Sequence, residues 1–146
     1  MQTVFDSIED PHRRQLLQNT VVYHNRLEYM DLVALYRDMH FLLLIREKNQ
    51  QMLAGFPSKL PETMAFGIIP IATSMGDYAE YYLKDGVDSL LIYEPGIEAC
   101  AAAISRGLTL SPEAIRNMSF AAYTTAKERF DYHNWVDFLK KELSDI

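Results

Sequence analysis

Residues 55–77 read GFPSKLPETMAFGIIPIATSMGD, and the order of turn residues and apolar spacings in this stretch decides the class of fold. Gly55 and Pro57 mark a loop, Ser58 is placed to cap a helix, and Pro61 falls in the first turn, where a missing N–H costs little. Leu60, Met64 and Ala65 recur at helical spacing, and Gly67 ends the helix as a C-terminal glycine does. Residues 68–73 are an apolar run in which Pro70 is acceptable only near the start of a strand. Loop, helix, strand and loop in direct succession are one unit of an α/β sheet.

Working outward, the N-terminal side predicts a helix over residues 11–18 opened by Asp10-Pro11, with Leu16 and Leu17 toward a core. Residues 20–24 are β-branched and aromatic and predict a strand, and residues 28–39 carry Met30, Val33 and Tyr36 at helical spacing. Residues 41–45, FLLLI, predict a strand buried on both faces of a parallel sheet. On the C-terminal side, residues 46–58 read as the motif loop, 59–66 as its helix, and 70–73 as a strand ending in the polar loop 74–77. A helix over 78–83, the Asp85-Gly86 turn, a strand over 89–93 and an alanine-rich helix over 97–107 follow. Ser111-Pro112-Glu113 opens a helix running to about Arg129. Residues 131–143 start again with an acidic cap and are expected to bury Trp135, Val136, Phe138 and Leu139.

Strands alternating with helices imply a Rossmann-like parallel sheet with flanking helices, which binds ligands at the carboxyl ends of its strands. The chain reads as a single partial domain. Residues 1–19 form an N-terminal helical region, 20–109 the βα core with the motif, and 110–146 the C-terminal helices. Loops 25–27, 46–58 and 74–77 are expected to converge on one edge of the sheet.

At 146 residues and 49% hydrophobic content the chain can build a real core. A net charge of -6 without any run of basic residues argues against a nucleic-acid-binding surface. The apolar runs are too short to span a bilayer, and residues 1–10 lack a signal-peptide pattern, so a cytoplasmic location is expected, free or peripheral to the inner face of the membrane. Cys100 is the sole cysteine and reads as a small buried residue. His12, His24, His40 and His133 are scattered without ligand spacing, so no metal is expected, and no Ser/His/Asp set or Walker-type loop is present.

A helix start that follows a glycine-bearing loop gathers unpaired N–H groups, to which the helix dipole adds partial positive charge. Such a place suits a phosphate. Lys59 brings a full charge to the first helical position, with Arg46 and Lys48 in the preceding loop. An ordinary capped helix of an α/β domain is the plainer alternative.

With these residues in hand, the stretch resembles the core of the C-terminal, donor-binding domain of GT-B glycosyltransferases of family 4, also called group 1. The likeness rests on Gly55, Phe56, Pro57, Ser58, Lys59, Leu60, Glu62, Ala65, Gly67, Pro70, Ile71, Ala72 and Thr73, followed by Gly76 and Glu80, and extends more weakly over residues 20–130. It implies transfer of a hexosyl unit from a nucleoside diphosphate sugar to a glycan or lipid acceptor, with no cofactor beyond that donor. By the same resemblance Glu62 is the second glutamate of the family's E-x7-E pair and faces the ribose hydroxyls; a dipole-stabilising acid is the alternative role. Gly55, Phe56, Ser58, Lys59 and Leu60 belong to the donor-binding turn. Arg26 and Leu27 match the loop beside the nucleobase, and Gly76 the loop that approaches the donor sugar. The first glutamate of the pair is replaced by Ala54, so no catalytic residue is assigned.

Relative to that family, the opening strand, helix, strand and helix of the donor domain have no counterpart in this sequence, nor has the acceptor domain. The chain alone is therefore expected to be inactive, and its exposed sheet edge to seek a partner chain or a second copy. The alternative is a non-catalytic, truncated domain that serves as an interaction module or a relic.

Overall fold

Residues 7–47, 49–94 and 96–144 are described by a computed structural model of the chain. The three apolar runs that follow residue 40 form the strands β1 (Phe41–Leu44), β2 (Ile69–Thr73) and β3 (Leu90–Ile92), paired in parallel in the order β1-β2-β3. Phe41 lies opposite Ile69, and Ile71 opposite Leu90. The helices are α1 (Pro11–Thr20), α2 (Tyr29–Tyr36), α3 (Gln50–Ala54), α4 (Lys59–Met64), α5 (Gly76–Tyr82), α6 (Ile97–Leu108), α7 (Pro112–Arg129) and α8 (His133–Ser144). This is the mixed α/β class, parallel sheet with flanking helices, that the sequence predicts, and it is consistent with a Rossmann-like fragment.

Backbone contacts divide the chain into two compact units, Met1–Val33 and Ala34–Ile146. In the first, Asp10 caps α1 by accepting from the N–H groups of His12 and Arg13. The strand expected over residues 20–24 is not formed. Thr20 is the last residue of α1, its hydroxyl donating to the Leu16 carbonyl, while Val22 and Tyr23 are exposed. β-branched residues make a strand only where a ladder partner receives them, and residues 21–25 have none.

In the second unit, β2 is buried along its whole length, as the central strand of three must be. Pro70, its second residue, keeps to the start of the strand as expected. β1 corrects the expectation of a strand covered on both faces. It is an edge strand, and Leu43 and Ile45 remain about half exposed, at 52% and 50%. On one side of the sheet Leu60, Met64, Tyr78, Ala79 and Ala122 pack with Ala72; on the other, Ala103 and Met118 pack with Ile69, Ile71 and Leu90. Gly107 of α6 is buried against the strands, where an added Cβ would make ordinary van der Waals contact, at 3.4 Å, with side chains of Phe41, Ile71 and Leu90.

The turn after β3's predecessor helix is tied by carboxylates. Asp88, 2% exposed, accepts from the Lys84 N–H and the Thr125 hydroxyl, and Asp85 accepts from the Leu91 N–H and Arg106. α7 follows its sequence signals closely: Ser111 accepts from the Ala114 N–H, Pro112 is the first residue, and Arg129 the last. α8 opens on Asp131, which accepts from the His133 N–H. Its expected apolar burial does not occur: Val136 is half-buried, but Trp135, Phe138 and Leu139 are exposed, because no element among the described residues lies against that face.

Candidate functional site

The motif loop leaves the carboxyl end of β1 and returns at α4. Within the loop expected over residues 46–58 the short helix α3 forms, and its end brings the chain back to Gly55. Arg46 fastens this return. Its guanidinium donates to the Gly55 carbonyl at 2.9 Å, and its backbone N–H donates to the Thr73 hydroxyl at 3.1 Å, which ties the loop after β1 to the end of β2. Arg46 is thus a brace for the turn; Lys48 lies outside the described residues.

α4 begins without the expected serine cap. Ser58 already has helical backbone angles, φ -56° and ψ -26°, so its side chain makes no capping bond, and the Leu60 N–H is taken by the Pro57 carbonyl at 2.9 Å instead. The other end behaves as predicted. Gly67 takes φ 73°, with its N–H on the Met64 carbonyl and that of Ile68 on the Thr63 carbonyl, the paired closure that a left-handed glycine permits.

Lys59 and Glu62 stand one turn apart on the exposed side of α4. The Lys59 ammonium donates to Glu62 Oε2 at 2.8 Å, with side chains 54% and 30% exposed. Behind them is Tyr36, the last residue of α2, buried and with its ring 5.4 Å from that of Phe66. Its hydroxyl donates to Glu62 Oε1 at 3.3 Å and accepts from Lys59 at 3.4 Å. Burial, as the largest cause, pushes the Tyr36 phenol above a tyrosine's ordinary 10.0, and the bond to Glu62 holds Lys59 above a lysine's ordinary 10.5. Sequence reasoning placed Tyr36 only on an apolar helix face. A tyrosine rather than a phenylalanine at the end of that face was the available signal, because a buried phenol needs a polar partner.

Both folded values are raised, so the protonated forms are favoured in the fold. Their stabilising contribution is present below the ordinary values and is lost as pH rises through the folded ones. We expect the ultraviolet titration of Tyr36→Phe to lack one phenol that ionises above about pH 10 in the unsubstituted chain. A missing phenol that ionises at or below that value contradicts this account of Tyr36.

The remaining residues singled out in the sequence take the following places. Phe56 is exposed by 48% and sits in an edge-to-face cluster with Tyr82 and Phe130, at 5.9 and 5.7 Å. Leu60 is fully buried in the core. Ala54 is exposed at the end of α3. Gly76, at φ 67°, lies where a Cβ would meet the Leu53 carbonyl oxygen at 3.2 Å, so it serves the packing of α5 against α3. Arg26, exposed, and Leu27, half-buried, belong to the first unit, in the segment between α1 and α2. Cys100 is half-buried and lines a cleft of about 700 Å³ with Ile45, Arg46, Gly96 and Ile97. A second groove, of about 420 Å³, runs beside Glu62 between α4 and α7, with Pro61, Tyr123, Lys127 and Phe130 in its walls. Among the described residues no group of three or more His, Cys, Asp or Glu side chains gathers, and no helix is long and apolar enough to cross a membrane.

A parallel sheet whose first loop is braced at its carboxyl edge, and whose following helix opens on a paired lysine and glutamate, defines a Rossmann-like α/β domain with its polar groups at the strand ends. The chain belongs to the group 1 glycosyl transferases: the model of that family matches residues 2–125, most of the sequence, consistent with part of the C-terminal domain of a GT-B fold. No curated protein and no solved structure gives a match. Family membership supports a role in glycosyl transfer and implies a nucleotide-sugar substrate.

Proposed function

We propose that this chain is a donor-binding module that holds a nucleoside diphosphate sugar for transfer of its hexosyl unit to a glycan or lipid acceptor. The observation that carries it is the Lys59–Glu62 pair: a cation and a carboxylate, both accessible, on the first turn of the family's motif helix. A carboxylate accepts two hydrogen bonds from a vicinal diol, and an ammonium is a point charge suited to a diphosphate. In the transfer, the bond from the anomeric carbon to the diphosphate oxygen breaks and a bond to the acceptor oxygen forms. The acceptor's proton leaves, and the electron pair stays on the departing diphosphate, whose charge Lys59 would offset. Ser58, Gly55 and Phe56 shape the turn, Leu60 anchors it, and Gly76 is assigned to the sugar end. Completion by an acceptor domain is part of this proposal.

The test is a thermal melt of the chain with millimolar UDP, GDP and ADP. A ligand that binds only the folded state at a hundredfold excess over Kd adds about 2.7 kcal/mol. One of the three is expected to raise the transition, and a transition unmoved by all of them contradicts donor binding.

A second function is favoured by two specific observations, the exposed Leu43 of edge strand β1 with Ile45 just after it, and the exposed Trp135, Phe138 and Leu139 of α8. These surfaces, with Ala54 in place of a glutamate, suit a non-catalytic domain that engages a partner chain or a second copy of itself. Sedimentation as a monomer at all concentrations counts against it.

A further inference from the structure

We infer that Tyr36 is a positioning residue for the donor site, its buried hydroxyl keeping the Glu62 carboxylate oriented toward a vicinal diol after Lys59 has turned from that carboxylate to a diphosphate. The inference rests on the donor-binding proposal above and adds to it a residue outside the motif and a coupling between the two polar groups.

Without ligand, Glu62 is satisfied on both oxygens, Oε2 by Lys59 and Oε1 by Tyr36. These two partners differ in kind. Lys59 is more than half exposed and on a flexible stem, so an incoming anion can draw its ammonium away. Tyr36 is 5% exposed and its ring is fixed against Phe66, so its hydroxyl stays where packing puts it. When Lys59 leaves, a glutamate held by nothing else rotates freely and meets a diol only at the cost of ordering it. With Oε1 still accepting from Tyr36, the carboxylate plane is already set, and Oε2 and the remaining lone pairs are open to two hydroxyls. The phenol is protonated, and so a donor, across the neutral range, since a tyrosine ionises only near pH 10 and burial moves that further up. The phenol is also uncharged, so it does not compete with Lys59 for the phosphate. A ligand bearing both an anion and a diol therefore replaces the Lys59–Glu62 bond at both ends, whereas one lacking part of the diol replaces it at one end only.

The experiment compares the full chain with Tyr36→Phe, which keeps the ring and removes only the hydroxyl. Affinities are measured by calorimetry for UDP, GDP and ADP and for the 2′-deoxy form of whichever binds. In the unsubstituted chain the ribose form is expected to bind roughly tenfold more tightly than the deoxy form, the scale of one hydrogen bond to a charged group. In Tyr36→Phe that ratio is expected to fall to about twofold, with the ribose form losing most of the affinity. A folded Tyr36→Phe chain that keeps the full ratio overturns the inference, even if both affinities drop together, because that is the signature of a purely structural residue. A Tyr36→Phe chain that no longer melts cooperatively also overturns it, since the hydroxyl then serves stability. An unsubstituted chain that binds none of the three diphosphates overturns the donor-binding proposal and this inference with it. Binding without any ribose preference leaves donor binding intact and overturns the inference alone.

Discussion

Leu60→Ala is expected to lower the stability of the chain by about 3 kcal/mol, the middle of the range for emptying a fully buried leucine site. Leu60 has no exposed surface and packs in the same cluster as Met64, Tyr78 and Ala122, between the sheet and α7. Truncation removes three carbons from the place where α4 is pinned to the core. α4 has only six residues, so it has little helical stability of its own and depends on that contact. A domain is commonly stable by about 5–15 kcal/mol in total, so the loss is a large share. Urea denaturation should show a lower midpoint with an unchanged slope. A loss below about 1 kcal/mol would mean that the site collapses around the smaller side chain and that Leu60 does not anchor the motif helix. Leu60 thus contributes to a ligand site through the helix it fixes, its side chain being wholly in the core.

Glu62→Ala is expected to separate stability from binding. The Lys59–Glu62 pair is half exposed, and such pairs contribute about 0–1 kcal/mol, so the unliganded melt should move little. The rise produced by the matching nucleoside diphosphate should disappear, because the carboxylate assigned to the ribose is gone. Retention of the full ligand-induced rise would move the ribose contact away from Glu62. A large fall in unliganded stability would instead place Glu62 among the structural residues, as the partner that satisfies the buried Tyr36 hydroxyl.

Much of the core was legible because its signals are local. Gly67 stops α4 through its own positive φ, Ser111-Pro112 starts α7 through a side chain that accepts from an N–H only three residues on, and the apolar runs of β2 and β3 are buried wherever a sheet is formed. The expectations that failed depended on neighbours. Residues 20–24 have the composition of a strand but no strand to pair with, and the chain there finishes α1 instead. Residues 41–45 are as apolar as a central strand, but β1 stands at the edge. α8 carries an apolar face that nothing among the described residues covers. Ser58 failed as a cap for a backbone reason, since its helical φ and ψ turn the side chain away from the N–H groups.

The candidate site divides in the same way. Lys59 and Glu62 were visible as residue types at one-turn spacing on a helix start, and their mutual bond follows from that spacing. Tyr36 was not visible, because the 26 positions that separate it from Glu62 are closed only by the fold. Arg46 was read as a charge for a ligand, yet the loop's own Gly55 carbonyl claims it.

The most direct test of donor binding at this edge is a titration of the isotopically labelled chain with UDP, GDP and ADP, followed by amide chemical shifts. The account predicts that one of them moves the amides of Gly55, Ser58, Lys59 and Glu62, along with Tyr36, and leaves those of α6 in place. Shifts that cluster elsewhere, or none with any of the three, would contradict it.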